Sequence, residues 1–153
     1  MELKSDQALA LFEQGYSCAQ SVCAAFGPEL GVDRETCLAL SAGFGAGVSR
    51  EGEICGALTG AVMVMGLRDG RADETDPVKR KERVYAQTQQ LLAWFKAHHQ
   101  SLLCRNLLGC DLRTEEGRRI AKERDLHHSV CAPLVVEVAR WLESLIPRAI
   151  SRR

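Results

Sequence analysis

No charge of one sign dominates this 153-residue chain, because twenty Lys and Arg face twenty Asp and Glu. There is therefore no whole-protein field to gather nucleic acid or an anionic membrane, and neither is expected as a partner. The local charge runs, Lys79 to Arg83, Arg118-Arg119 and Arg152-Arg153, read as solvated faces. Long apolar runs are also missing. The longest, Ile54 to Leu67, holds 14 residues with Thr59 inside it. A membrane helix needs roughly 20, so this run reads as a buried core helix and no membrane insertion is expected. Met1 to Asp6 carries acidic residues and lacks the apolar centre of a signal peptide, which makes a cytoplasmic protein the expectation.

Other absences narrow the chemistry. No strand-like alternation, low-complexity segment or internal repeat is present. There is no G-x-S-x-G, no G-x-x-x-x-G-K-[ST] and no H-E-x-x-H, which removes the common hydrolase, phosphate-loop and metalloprotease signatures. There is no C-x-x-C, so neither a thioredoxin-type dithiol nor a zinc knuckle is encoded locally. The glycine-rich loop from Gly43 to Gly52 follows no strand, which argues against a dinucleotide site. Its glycines read as permitting close packing and unusual backbone angles around Cys55.

Helical period fills the chain instead. Ala8, Leu11 and Phe12 form a first stripe, interrupted at Gly15. Ser17 can cap a segment running to Phe26 and closed by Gly27-Pro28, and Asp33 can cap another through Leu38 and Leu40 to Gly43. The apolar run of Ile54 to Leu67 follows, ended by Asp69-Gly70, with Gly56 and Gly60 on one face for close packing. Asp76-Pro77 opens a helix to about His98 that should bury Val78, Tyr85, Leu92 and Phe95. Ser101 should open a short helix holding Cys104 and stopped at Gly109. Thr114 should cap one weakened by Gly117. The last helix should start near Ser129 or Pro133, bury Leu134, Val138, Trp141, Leu142 and Leu145, and stop at Pro147. The expectation is one all-α domain over residues 1–153, a bundle of six or seven helices with a Gly-rich loop before the central apolar one.

Seven cysteines are many for such a chain, and an odd number cannot all pair internally. In a reducing compartment such an excess points to metal, cluster or redox chemistry before a disulfide framework. Cys18, Cys55, Cys104 and Cys131 each fall at the beginning of an expected helix, where unpaired N–H groups and the positive dipole end favour a thiolate. They are separated by 37, 49 and 27 positions, so a shared site would assemble only on folding. Cys131 projects from the apolar stripe of the last helix and should face the interior. Cys23 and Cys37, mid-helix among Ala, Val and Leu, read as inert core. Cys110, just after Gly109, is either an exposed spare or a resolving thiol. His98-His99 and His127-His128 fall at helix ends, where protonated imidazole suits the dipole. His128 or His99 could alternatively serve as an extra ligand.

At these residues the chain resembles the C-GCAxxG-C-C family, proteins of about this length described as redox-active, with four characteristic cysteines and a C-G-A-x-x-G motif. That motif reads in full as Cys55-Gly56-Ala57-Leu58-Thr59-Gly60. The first family cysteine fits Cys18 in Tyr16-Ser17-Cys18-Ala19-Gln20-Ser21-Val22. The third fits Cys104 in Cys104-Arg105-Asn106-Leu107-Leu108-Gly109, and the fourth fits Cys131. Gly43-Phe44-Gly45-Ala46-Gly47 is also similar to the family's glycine-rich stretch, whereas Cys23, Cys37 and Cys110 are additional to the pattern. Similar domains accompany haem proteins in some architectures, but this chain has no C-x-x-C-H haem attachment site.

Three chemistries suit Cys18, Cys55, Cys104 and Cys131, as catalytic thiols or as ligands. They would hold an iron–sulfur cluster, bind zinc as a structural site, or cycle between dithiol and disulfide without a cofactor. The cluster and the relay are read ahead of zinc. In the relay, Cys55 is the attacking thiolate, because its loop would leave it accessible. The reading is then an oxidoreductase or electron-transfer protein, exchanging electrons with a redox partner protein or a small thiol. The rival reading is a non-catalytic helical adaptor, dimeric in one form, whose cysteines fill the core or bind zinc.

Overall fold

The computed structural model describes residues 2–71 and 75–146. Eight α-helices build it: α1 (Lys4–Glu13), α2 (Cys18–Phe26), α3 (Arg34–Ser41), α4 (Gly56–Asp69), α5 (Pro77–His99), α6 (Cys104–Leu108), α7 (Glu115–Glu123) and α8 (Ala132–Leu145). Short 3₁₀ turns at Gly27–Leu30 and Ala42–Phe44 connect them, and a π-turn at His127–Cys131 runs into α8. Among the described residues the only β pairing is an isolated bridge between Ile54 and Leu103. No helix among them is long and apolar enough to cross a membrane. The architecture is all-α, with more helices than the six or seven expected.

The starts form where the sequence supplies a cap. Ser17 accepts from the Gln20 amide while the Gln20 side chain accepts from the Ser17 amide, a reciprocal box at the head of α2. Asp33, Asp76 and Thr114 cap α3, α5 and α7 through the amides of Thr36, Val78 and Gly117. Ser101 does not cap α6. Its hydroxyl accepts from the Leu103 amide and from the Asn106 side chain, which fixes the approach, and the helix begins at Cys104. The expected stop at Pro147 and the run Arg152-Arg153 lie outside the described residues.

The core is centred on α2, which packs on α1, α3 and α4, while α8 closes against α1 and α4. Small residues make the α2–α4 contact possible. A Cβ on Gly60 would stand 2.7 Å from the Ala19 carbonyl oxygen, and one on Gly56 would stand 3.1 Å from both the Ala19 amide and Cys18 Cβ. Around this contact Phe12, Val22, Leu58, Val64, Met65, Leu91, Phe95, Val135, Val138 and Leu142 are buried. A fully buried side chain of this size contributes roughly 1.5–3 kcal/mol.

Several burial expectations fail for reasons of helical phase. On α5 the inner stripe is carried by Leu91 and Phe95, and Val78 and Tyr85 are 55% and 51% exposed because they lie about 100–120° round the helix from it. Leu92, Trp141 and Leu145 are half-buried. Leu40, two residues after the buried Leu38, faces solvent. Gly117, expected only to weaken α7, is buried instead. A Cβ there would overlap the Asp111 carbonyl, so a glycine lets the chain double back before the helix.

The loop before α4 holds the strongest departure from ordinary backbone. Ala46, Gly47, Val48, Ser49 and Arg50 all have positive φ, between 52° and 74°. The Ser49 amide donates to the Gly45 carbonyl at 2.8 Å, so this is a turn of left-handed helix. Such geometry costs roughly 1–2 kcal/mol for each non-glycine residue and persists only where its surroundings fix it.

Candidate functional site

Four chain segments meet at one end of α2. Cys18 is the first residue of α2, held by the Ser17 cap. Cys55 is the residue just before α4 and Cys104 the first of α6. These last two are brought side by side by the short antiparallel pairing around Ile54 and Leu103. The Cys55 amide donates to Leu102 (2.9 Å), the Cys104 amide to Glu53 (2.7 Å) and the Arg105 amide to Gly52 (3.1 Å). The left-handed turn backs this pairing. The Glu53 amide donates to the Gly47 carbonyl at 2.9 Å, and a Cβ on Gly47 would lie 2.6 Å from the Glu53 nitrogen and 2.7 Å from Cys104 Cβ. Cys131 enters from the last turn before α8.

Cys18, Cys55, Cys104 and Cys131 all line one cavity of about 340 Å³. All seven cysteines are free thiols. The interaction between the Cys18 and Cys131 thiols, with burial added to it, pushes Cys18 well above the usual thiol range. The same interaction draws Cys131 below that range, against the effect of burial. Burial pushes the Cys55 thiol up to about 11 against the Ala57 and Leu58 amides, and pushes Cys104 up to about 12. The helix-start argument for easy thiolates is thus outweighed at three of the four positions, by desolvation at Cys55 and Cys104 and by Cys131 together with desolvation at Cys18. At Cys131 its premise is absent, because helical backbone runs unbroken through the residue and the lowering comes from Cys18. Cys55, read from sequence as the accessible attacker, is buried beneath its loop, whereas Cys131 is half-exposed.

The other thiols divide into two groups. Cys110 does not line the cavity, yet it stands near enough for its charge to act on Cys104. Cys23 and Cys37 are buried between α2 and α3, at 3% and 1% exposure, and the Cys37 thiol donates to the Val32 carbonyl at 3.5 Å. Gly27 leaves the room that Cys37 Sγ occupies, 2.1 Å from where its Cβ would be. Of the histidines, His98 bonds the Trp94 carbonyl, His99 bonds Glu137 and His128 bonds Asp125, all at 2.8–3.0 Å and away from the cavity. His127 instead lines it, stacked on Phe12 with centroids 4.0 Å apart. The sequence reading missed His127, Tyr16 and Gln20 as lining residues. For His127 the available signal is its spacing, four residues before Cys131 and so on one helical face.

Among the described residues, no three His, Cys, Asp or Glu side chains are grouped tightly enough to hold a single metal ion. The four thiols therefore do not fit a mononuclear zinc centre as they stand. Their donor chemistry, four cysteines on one cavity with no lining carboxylate, does fit an iron–sulfur cluster, which spreads its ligands more widely than one ion does.

One family model, described as "Putative redox-active protein (C_GCAxxG_C_C)", matches residues 16–145, a span that contains all four of these cysteines. No curated protein and no solved structure matches the chain.

Proposed function

The chain belongs to this redox-active C_GCAxxG_C_C family, and we propose that its redox unit is the cavity of Cys18, Cys55, Cys104 and Cys131, with Cys18 and Cys131 as the working dithiol. The observation that carries this reading is that Cys18 and Cys131 line one cavity and act directly on one another's ionisation. A thiolate is the reacting form, and the thiol beside it is the one best placed to complete a disulfide. Oxidation forms the Cys18–Cys131 S–S bond and releases two electrons and the protons the two sulfurs hold. Cys55 and Cys104, buried and protonated beside the pair, would stand as reserve thiols for exchange with an initial disulfide.

The experiment is a thiol count on protein purified without oxygen, before and after a mild oxidant, with peptide mapping of any bridge. Loss of two thiols, restored by dithiothreitol and absent in Cys131→Ala, is the expected result. An unchanged count of seven, in metal-free protein, would overturn the proposal and leave a non-catalytic helical protein.

A second reading is favoured by the same four-cysteine lining. Cys18, Cys55, Cys104 and Cys131 would hold an iron–sulfur cluster, which would supply one-electron transfer. Iron with acid-labile sulfide in the anaerobic protein, lost in Cys55→Ala, would select this reading over the dithiol.

A further inference from the structure

The cavity has an unusual electrical character for a protein so rich in charge. Not one Asp, Glu, Lys or Arg lines it. Its polar groups, apart from the thiols, are Tyr16, Ser17, Gln20 and His127. The outer wall makes this the more telling, because the segment from Cys104 to His127 carries Arg105, Arg113, Arg118, Arg119, Lys122 and Arg124. These face elsewhere. Arg105 pairs with Glu53, Arg113 with Asp111, and Arg119 with Glu123, while Arg118 bonds the Leu112 and Arg113 carbonyls. The same segment turns Leu107, Leu108, Leu112, Ala121 and Leu126 toward the thiols.

An ionised ligand entering there would lose its water and find no counter-charge, a penalty an uncharged molecule avoids. A volume of about 340 Å³ is at the small end of ligand sites and holds a molecule of one or two rings. We infer that the cavity admits an uncharged, mainly apolar two-electron acceptor, the chemical class of the quinones, to the Cys18–Cys131 dithiol. This inference rests on the dithiol reading given above. In the reaction the two thiols give two electrons and two protons to the acceptor's carbonyl oxygens. The Cys18–Cys131 S–S bond forms and the acceptor leaves as the hydroquinone. Charged oxidants, including the common anionic disulfides, react with the pair more slowly than neutral ones.

The test compares two probes on the reduced full-length protein in anaerobic stopped flow. One is 2,3-dimethyl-1,4-naphthoquinone, neutral and blocked against thiol addition. The other is its ring-sulfonated analogue, 2,3-dimethyl-1,4-naphthoquinone-6-sulfonate, which is anionic and blocked in the same way. Dithiothreitol sets the ratio of the two rates when no cavity is present. The protein should favour the neutral quinone at least tenfold more than dithiothreitol does, with a rate that saturates. Leu112→Glu, which puts a charge on the wall, should remove most of that preference. A protein ratio equal to that of dithiothreitol overturns the inference, even where a small oxidant such as diamide still forms the bridge and the dithiol reading stands. Failure to form the Cys18–Cys131 bridge with diamide sinks the dithiol reading, and this inference falls with it.

Discussion

Adding one methyl group to Gly60 should damage this protein, although the same change at Gly66, six residues along the same helix, should improve it. In a helix interior Ala is favoured over Gly by about 1 kcal/mol. At Gly66 no atom lies within 4 Å of the new Cβ, so that gain is kept whole. At Gly60 the methyl meets the Ala19 carbonyl oxygen at 2.7 Å and Ala19 Cα and Val22 Cβ at 3.2 Å. The first two atoms belong to the backbone of α2 and have no rotamer to change, so the helices must part by several tenths of an ångström. Overpacking of this kind costs about 1–3 kcal/mol and occasionally more, and loosening the most central helix pair places the cost at about 2–4 kcal/mol. After the propensity gain, Gly60→Ala should be destabilised by roughly 1–3 kcal/mol. For a chain of this size that is a fall in Tm of about 3–10 °C, against a rise of about 2–4 °C for Gly66→Ala. Urea and thermal unfolding of the fully reduced proteins, followed by circular dichroism, read both changes. If Gly60→Ala is as stable as the parent, or if the two variants shift together, the close-contact account of the α2–α4 packing is wrong.

Removing the Cys18 thiol should raise the midpoint of the Cys131 alkylation–pH profile, because burial alone then acts on Cys131. Cys18→Ala should show the full rise and Cys18→Ser a smaller one, as measured by iodoacetamide labelling and mass spectrometry. Stability should fall as pH rises above about 9 under reducing conditions. Cys23, Cys55 and Cys104 keep their protons in the folded state to about 12, 11 and 12, while the unfolded chain releases them earlier and binds fewer protons throughout that window. Urea midpoints between pH 8 and 11 should therefore decline less steeply in Cys23→Ala than in the parent. Gly47→Ala should disturb the Cys104 side of the cavity, since its Cβ would strike Glu53 and Cys104. Faster labelling of Cys104, with a lowered Tm, is the expected outcome, and unchanged labelling would refute the role given to the left-handed turn.

Much of the architecture was legible because its signals are local. Ser17, Asp33, Asp76 and Thr114 cap the helices they precede, and the Gly56–Gly60 spacing marks a close helix contact. The burial of Val78 and Tyr85 is not legible because the Val78, Tyr85 and Leu92 line is rotated by about 100° from the Leu91–Phe95 line, and packing against α4 decides which turns inward. The four cysteines were legible as a set, but the pairing inside the set was not. The Cys18–Cys131 interaction depends on how the turn before α8 meets the start of α2, and no local pattern encodes that meeting. The same holds for thiol acidity. Helix position suggests easy ionisation, while burial at Cys55 and Cys104, and the neighbouring Cys131 with burial at Cys18, reverse the sign.

The contact between Cys18 and Cys131 joins residues 113 positions apart, close to the two ends of the described chain. A covalent bridge there would close about three quarters of the polypeptide into a ring. By chain-entropy reasoning a ring of that size takes roughly 4.7 kcal/mol from the unfolded ensemble. The thermodynamic cycle then runs both ways, so the native fold would favour the bridged form by the same amount, roughly 100 mV toward a more reducing dithiol. Folding and electron donation are then linked through one cycle, and a variant that loosens the core moves the reduction potential only as far as it destabilises the bridged and reduced forms unequally.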